Sequence, residues 1–302
     1  MLKLKDLGTE FPHIDRVEVD LDEISKFETE CQFMALAIGL AVETSSFVAL
    51  AACTTGNNET WDRDHAAIGG NMVRLYKLMH SVLDQTCQRR QETAFILSRL
   101  VFETIVNIKF LIKNFSSDAV DSYIRHSLRH ERRLRDKVVK NIEIRGGCIF
   151  PIEERMLKSI ARSETASGIS LDSVNLQDRT PWGGRNLQQK AEIVGLDHAY
   201  LAVFSGPSHS IHGGWQDIYA NHLEWIEEGK FVPKTEWANP RPQILFALSN
   251  LIIQILPGYF RFMGGDAICA EFLDKLSDLQ ERIFAVDEAH EQYLAKKNWP
   301  EI

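Results

Sequence analysis

Apolar positions along the chain recur with the period of a helix almost everywhere they form a pattern. From Asp22 to about Cys53, Ile24, Phe27, Phe33, Leu36, Leu40 and Phe47 fall on helical spacing, and Thr54-Thr-Gly-Asn-Asn closes the run with turn residues. A second helix is predicted from about Asp64 to Cys87, despite Gly69-Gly70 near its start, and a third from about Arg90 to Asn114. The fourth begins after Ser116-Ser117-Asp118 and runs to about Arg145, where Gly146-Gly147 stops it. Pro151 at a first helical position, followed by Glu153-Glu154, opens a shorter helix to about Ser163.

The texture then changes. Between 173 and 242 lie five of the nine prolines and four of the six tryptophans, a composition that predicts short helices and ordered loops packed by large rings. After Pro242 two long helices return, over roughly 243–263 and 266–296. Residues 1–20, with Pro12, read as an arm or a short strand. The expected fold is all-α: a multi-helix bundle of long helices with a loop-rich, Trp/Pro-rich insertion. One helical domain is expected over 21–302, with a bundle core at 21–172, the loop-rich segment at 173–242 and a helix pair at 243–302.

On a wheel of 100° per residue, the apolar residues of the third helix point in nearly every direction, from Phe95 and Leu97 to Leu111 and Ile112. A helix apolar all round is buried on all sides. Yet Glu92, Arg99, Glu103 and Asn107 share a sector of about 80° on that wheel. Arg99 and Glu103, four apart, are placed to pair directly. The stripe is either a solvated edge, a register-fixing salt bridge or the wall of a polar pocket inside the bundle.

The fourth helix carries Glu131 in the middle of the apolar face set by Val120, Ile124, Leu134, Val138 and Ile142. Its other faces hold a basic run: seven Lys or Arg from Arg125 to Lys140 against Glu131 and Asp136, a local charge of +5. Arg129, Arg132 and Arg133 are the candidates for contacting nucleic-acid phosphates, and a plain solvated face is the alternative. The whole chain carries a net charge of −8, so any anion binding has to come from such a local patch.

Other bulk features narrow the classes. Five scattered cysteines without a C-x-x-C pair argue against a disulfide framework or a thiolate zinc site and for a reducing compartment. The start, MLKLKDLGTEF, lacks the apolar stretch of a secretory signal, so the cytoplasm is expected. Phe33 to Val42 is apolar for only ten residues before Glu43 interrupts it, whereas a span needs about 20. A core helix is expected there, and no membrane. P-loop, dinucleotide and nucleophile-elbow motifs are missing, so no cofactor is expected.

His198, His209, His212 and His222 fall within 25 residues, three of them close to SGPSHSIHGGW (Ser205 to Trp215). These histidines and hydroxyls could satisfy loop backbone. Alternatively, His212 or His209 acts as a general acid or base beside Ser208, since an imidazole titrates close to neutrality. A third reading has His209 and His212 bind a metal with a carboxylate such as Glu103 or Glu131. Against it, there is no H-E-x-x-H, and the other pair at helical spacing, His126 and His130, is ringed by arginines.

The order R-x-x-x-E (Arg99, Glu103), a helix with Tyr123, then S-x-x-x-H-G (Ser208, His212, Gly213) resembles an uncharacterised bacterial family of helical domains, over roughly residues 60–225. More distantly the chain is similar to the HEPN superfamily, many of whose members are metal-independent ribonucleases of toxin and antiphage systems. The superfamily signature, an Arg followed after four to six residues by a His, is matched by Arg125 and His130. That resemblance implies RNA as partner and a homodimer with both signatures at one cleft. His would move the proton of the RNA 2′-hydroxyl or leaving oxygen, and Arg would stabilise phosphate charge. The expected function is RNA cleavage or RNA binding, with Arg99, Glu103, Glu131, Ser208 and His212 around one internal pocket. A non-catalytic helical interaction module and a metal-dependent hydrolase are the other two readings.

Overall fold

A computed structural model of the chain describes residues 13–56, 59–264 and 270–297. The chain forms α1 (Leu21–Ile24), α2 (Glu30–Cys53), α3 (Arg63–Cys87), α4 (Gln91–Lys113), α5 (Ser117–Ile144) and α6 (Pro151–Ser167). Short elements follow: α7 (Leu187–Ile193), α8 (Asp197–Ala199), α9 (Gly206–His212), α10 (Trp215–Asp217), β1 (Leu223–Glu227) and β2 (Lys230–Pro233). Two long helices close the order, α11 (Pro242–Gly264) and α12 (Ala270–Ala295). The architecture is all-α, as the periodicity predicted.

Local chemistry sets the helix starts. Asp62 and Ser116 accept from the backbone N–H groups of His65 and Ala119 at the heads of α3 and α5. Pro151 opens α6, where its missing N–H costs nothing, and Gly168 ends that helix in the left-handed region at φ 67°. The predicted single helix from Asp22 is broken instead. Asp20 caps α1, then Gln32 Oε1 accepts from the backbone of Glu28 and Thr29 and starts α2 afresh. The arm reading falls partly on residues 1–12, outside the described residues; 13–20 has no regular secondary structure and pairs with no strand.

α2, α3, α4 and α11 pack in a closed ring, each against the next, and α12 lies across α2 and α11. The shared core holds Phe33, Phe47, Phe102, Phe246, Phe260, Phe272 and Tyr259, all essentially without exposure. Cutting one such ring to alanine costs about 3–5 kcal/mol. α2 and α11 are long and apolar enough to cross a membrane by length and composition, and more than half of each apolar stretch is buried within the bundle. Glu43, which interrupts the apolar run of α2, turns inward to meet Arg282 of α12 in a two-point ion pair at 2.8 and 2.6 Å.

α5 leaves this ring. Its Leu128, flanked by Ile124 and Leu134, packs on Ile160 of α6 and on Ile169, Leu171 and Val174, forming a second, smaller apolar cluster. The stretch from Ile169 to Asn186 thus runs as a strap over α5 before the chain returns to α4 through α7. The insertion also holds an element its composition did not predict: an antiparallel hairpin pairing Trp225 with Phe231 and Leu223 with Pro233.

Candidate functional site

The polar stripe of α4 is real as a face, and it divides among three surroundings. At the helix start, Glu92 is 7% exposed and accepts from the Ala238 N–H at 3.2 Å, while Gln91 N–H donates to the Ala238 carbonyl. A carboxylate in the first turn is favoured by the helix dipole, so Glu92 ties the end of the insertion to α4. Its second oxygen is buried without a partner.

About two turns on, Arg99 does not pair with Glu103. Its guanidinium carbon stands 4.3 Å from the centre of the Phe204 ring, and its buried Nε has no acceptor. Phe204 belongs to a wide helical turn over Tyr200–Ser205 that leads into α9. Phe95 faces Gly206, and Phe102 meets both Tyr200 and Phe204, so this segment runs antiparallel to α4. Extended by a turn, that register sets Ser208, His209 and His212 near the level of Glu92, about 16 Å along the helix from Glu103. Ser208 Oγ donates to the Phe204 carbonyl, and both histidines are exposed. Arg99 and Ser208 therefore meet only through Phe204.

Glu103 faces a residue that did not stand out in the sequence. Lys190 of α7 is 2% exposed, and its Nζ sits 3.2 Å from the centre of the Trp182 ring and 5.6 Å from that of Phe110. Among the described residues it has no hydrogen bond or ion pair. Burial pushes its amine down to about 7, with Glu103 pulling the other way. Trp182 is itself edge-on to Phe110 and Tyr123, and Tyr123 accepts from Asn71 Nδ2 at 3.0 Å. Gly183 makes this closure possible. At φ 65°, with a Cβ that would come within 3.0 Å of Phe110, the position admits only glycine, and its N–H donates to Ser122 Oγ.

The sequence held a sign of Lys190: Leu187, Ala191 and Val194 form one apolar face, and a residue three on from Leu187 falls within it. Glu131 goes elsewhere. It is half-buried on the side of α5 that carries Ile124 and Leu128, facing α6 rather than α4. The five residues expected around one pocket thus occupy separate places.

The basic run of α5 divides lengthwise. Arg125 donates to Ser173 Oγ; Arg129 to Asp178 and to the Thr180 carbonyl; Arg132 to the carbonyls of Asp172 and Val174; and Arg135 to Asp172. These arginines hold the strap. A second line, His126, His130, Arg133, Lys137 and Lys140, lies within about 80° of the helix circumference and extends about 21 Å along it. All five are exposed, and among the described residues none has an ion pair; Arg133 keeps a long 3.5 Å bond to the Leu176 carbonyl. Partial burial, then Arg129 and Lys190, hold the His126 imidazole below its usual value. Arg125 and His130 point about 140° apart around the axis.

In the histidine-rich loop, His222 lies 3.5 Å from buried Asp217, which also accepts from Asn221. Among the described residues no three of His, Cys, Asp and Glu lie close enough to hold a metal ion, so His209 and His212 gain no carboxylate.

The model of a family of unknown function, DUF5677, matches residues 65–231, more than half of the chain, and the chain belongs to that family. The match begins in α3 and ends in β2, so it takes in the α4 stripe, both lines of α5, the strap and Lys190. No curated protein and no solved structure matches the chain.

Proposed function

We propose that this member of a family of unknown function binds RNA along the outer line of α5. The observation that carries the reading is the division of the basic run. The arginines on one side are spent on the strap, while His126, His130, Arg133, Lys137 and Lys140 stand exposed and, among the described residues, form no ion pair. In a chain of net charge −8, such a line is the place where polyanion affinity concentrates. Its length matches a few backbone phosphates of a single strand.

Binding is favoured over cutting. Arg125, the arginine of the matched signature, is held by Ser173 and points away from His130, so one chain does not bring both to a single phosphate. His130 remains the group on the line able to move a proton. Fluorescence anisotropy with labelled single-stranded RNA over a salt series tests the reading. Wild-type affinity should fall steeply with salt, by about 0.7 log units per log unit of salt for each phosphate contacted. Arg133→Glu with Lys137→Glu and Lys140→Glu should abolish binding while leaving the circular dichroism spectrum unchanged. Affinity indifferent to salt, or kept by the triple variant, would sink the proposal. RNA cut by wild type and by His130→Ala alike would remove His130 from any chemistry.

A further inference from the structure

The turn that closes over Lys190 is short and lightly held. Upstream, Arg129 donates to Asp178 and to the Thr180 carbonyl; downstream, Asn186 caps α7 by accepting from the Gln189 N–H. Between these anchors lie Pro181, Trp182, Gly183, Gly184 and Arg185, with both glycines in the left-handed region at φ 65° and 67°. Among the described residues, one hydrogen bond ties this turn to another element, from Gly183 N–H to Ser122 Oγ. The rest of its hold is the Trp182 ring, edge-on to Phe110 and Tyr123, with the Lys190 amine 3.2 Å from its centre. A segment held so lightly opens locally, at far lower cost than unfolding of the whole chain.

What the turn covers decides when it opens. A protonated Lys190 brings three N–H donors into a place that offers a ring face and no hydrogen-bond acceptor. Glu103 of α4 is the acidic group that acts on it, without forming an ion pair, and His126 of α5 is the basic one. The turn itself adds only Arg185, and α8 adds Asp197 and His198, all three exposed. The ammonium therefore gains by meeting water, whereas the neutral amine rests on the ring at little cost. Burial holds the amine at about 7 in the closed fold, and once the turn lifts, its affinity for a proton returns to the ordinary 10.5.

We infer that the turn from Pro181 to Arg185 is a proton-operated latch, closed over Lys190 as a neutral amine and opened when that side chain takes up a proton. The inference is independent of RNA binding by α5. Between about 7 and 10.5 the open form binds more protons, so opening grows as pH falls and levels off below 7. From pH 8.5 to pH 6 the open fraction should rise about 30-fold. Hydrogen exchange at the Gly183 amide, divided by the rate of the free peptide, reads that fraction. It should show the rise in wild type, stay flat in Lys190→Met, and run ahead of the core amides of α4 at every pH. As a second measurement on unaltered protein, pulsed acetylation read by mass spectrometry compares lysines. Exposed Lys137 should react about tenfold faster per pH unit. Lys190 should level off above pH 7, because the gain in free amine of the open form is cancelled by closure. Gly183 exchanging no faster than the α4 core, or the same pH dependence in Lys190→Met, would overturn the inference. So would Lys190 acetylation that is absent or climbs in step with Lys137.

Discussion

Glu43 with Arg282 and Lys190 with Glu103 are two answers to one problem, a charge placed on the apolar face of a helix. In the first, every polar group is met. Arg282 donates twice to Glu43, once to Asp278 and once to the Val17 carbonyl, and Glu43 also accepts from the Val17 N–H. The cluster joins α2, α12 and the irregular stretch before α1. In the second, a lysine equally removed from water rests on a ring face, has no hydrogen bond, and is held near neutrality by burial. A satisfied buried pair fixes structure. An unsatisfied buried amine is a cost that the fold carries, and functional sites are where such costs collect.

The largest effect should come from breaking the satisfied pair. Arg282→Met leaves the Glu43 carboxylate buried and alone, and the loss should be about 3–5 kcal/mol. Urea unfolding measures it. Arg282→Met combined with Glu43→Leu should recover much of that loss, because no charge then remains to be desolvated. A double variant no more stable than the single would mean that the Val17 and Asp278 contacts, rather than the charge pair, hold the region.

Lys190 should respond in the opposite sense and depend on pH. The unfolded chain keeps a lysine protonated up to about 10.5, whereas the folded chain releases that proton near 7. Between those values the unfolded state binds more protons, so stability rises with pH, by at most about 1.4 kcal/mol per unit from this group. Below 7 the folded state must carry the ammonium and the full cost stands. Lys190→Met should therefore be the more stable protein at pH 7, and its lead should shrink by pH 9. Parallel stability curves for the two proteins would show that Trp182 and Glu103 hold the ammonium well enough to keep it charged.

These three charges also show how far the sequence could be read. Glu43 lies three residues after Leu40, in the face shared with Thr44 and Phe47; Arg282 stands likewise after Leu279, beside Ile283 and Val286; Lys190 stands so after Leu187, beside Ala191 and Val194. Periodicity marks each as turned inward. It cannot say what each one meets, because Glu43 and Arg282 are 239 positions apart and Trp182 reaches Lys190 only after a left-handed turn at Gly183. The helices themselves were legible because caps and apolar period are local. The stripe on α4 was legible as a face, but its partners arrive from α7, the turn over Tyr200–Ser205 and the segment near Ala238. The hairpin was hidden in a segment whose prolines and tryptophans signal irregular structure without specifying it.

A smaller comparison lies within α5, between its inner and outer lines. Arg132 donates to two strap carbonyls, at 3.0 and 2.5 Å, over the cluster of Leu171 and Val174. Arg132→Ala should cost about 1.5–3 kcal/mol, as charge-assisted bonds to partly buried carbonyls do. Lys137, one and a half turns further on, touches nothing that holds the fold. Lys137→Ala should shift stability by no more than about 0.5 kcal/mol while lowering RNA affinity and reducing its salt slope by about 0.7. The pair separates two meanings of a basic run that composition alone makes identical. If Lys137→Ala destabilised the protein as much as Arg132→Ala, the outer line would be part of the strap's anchorage, and its lack of countercharge would no longer point to RNA. If stability held and the salt slope fell only for Lys137, the inner arginines would be structural and the outer line would be the polyanion surface.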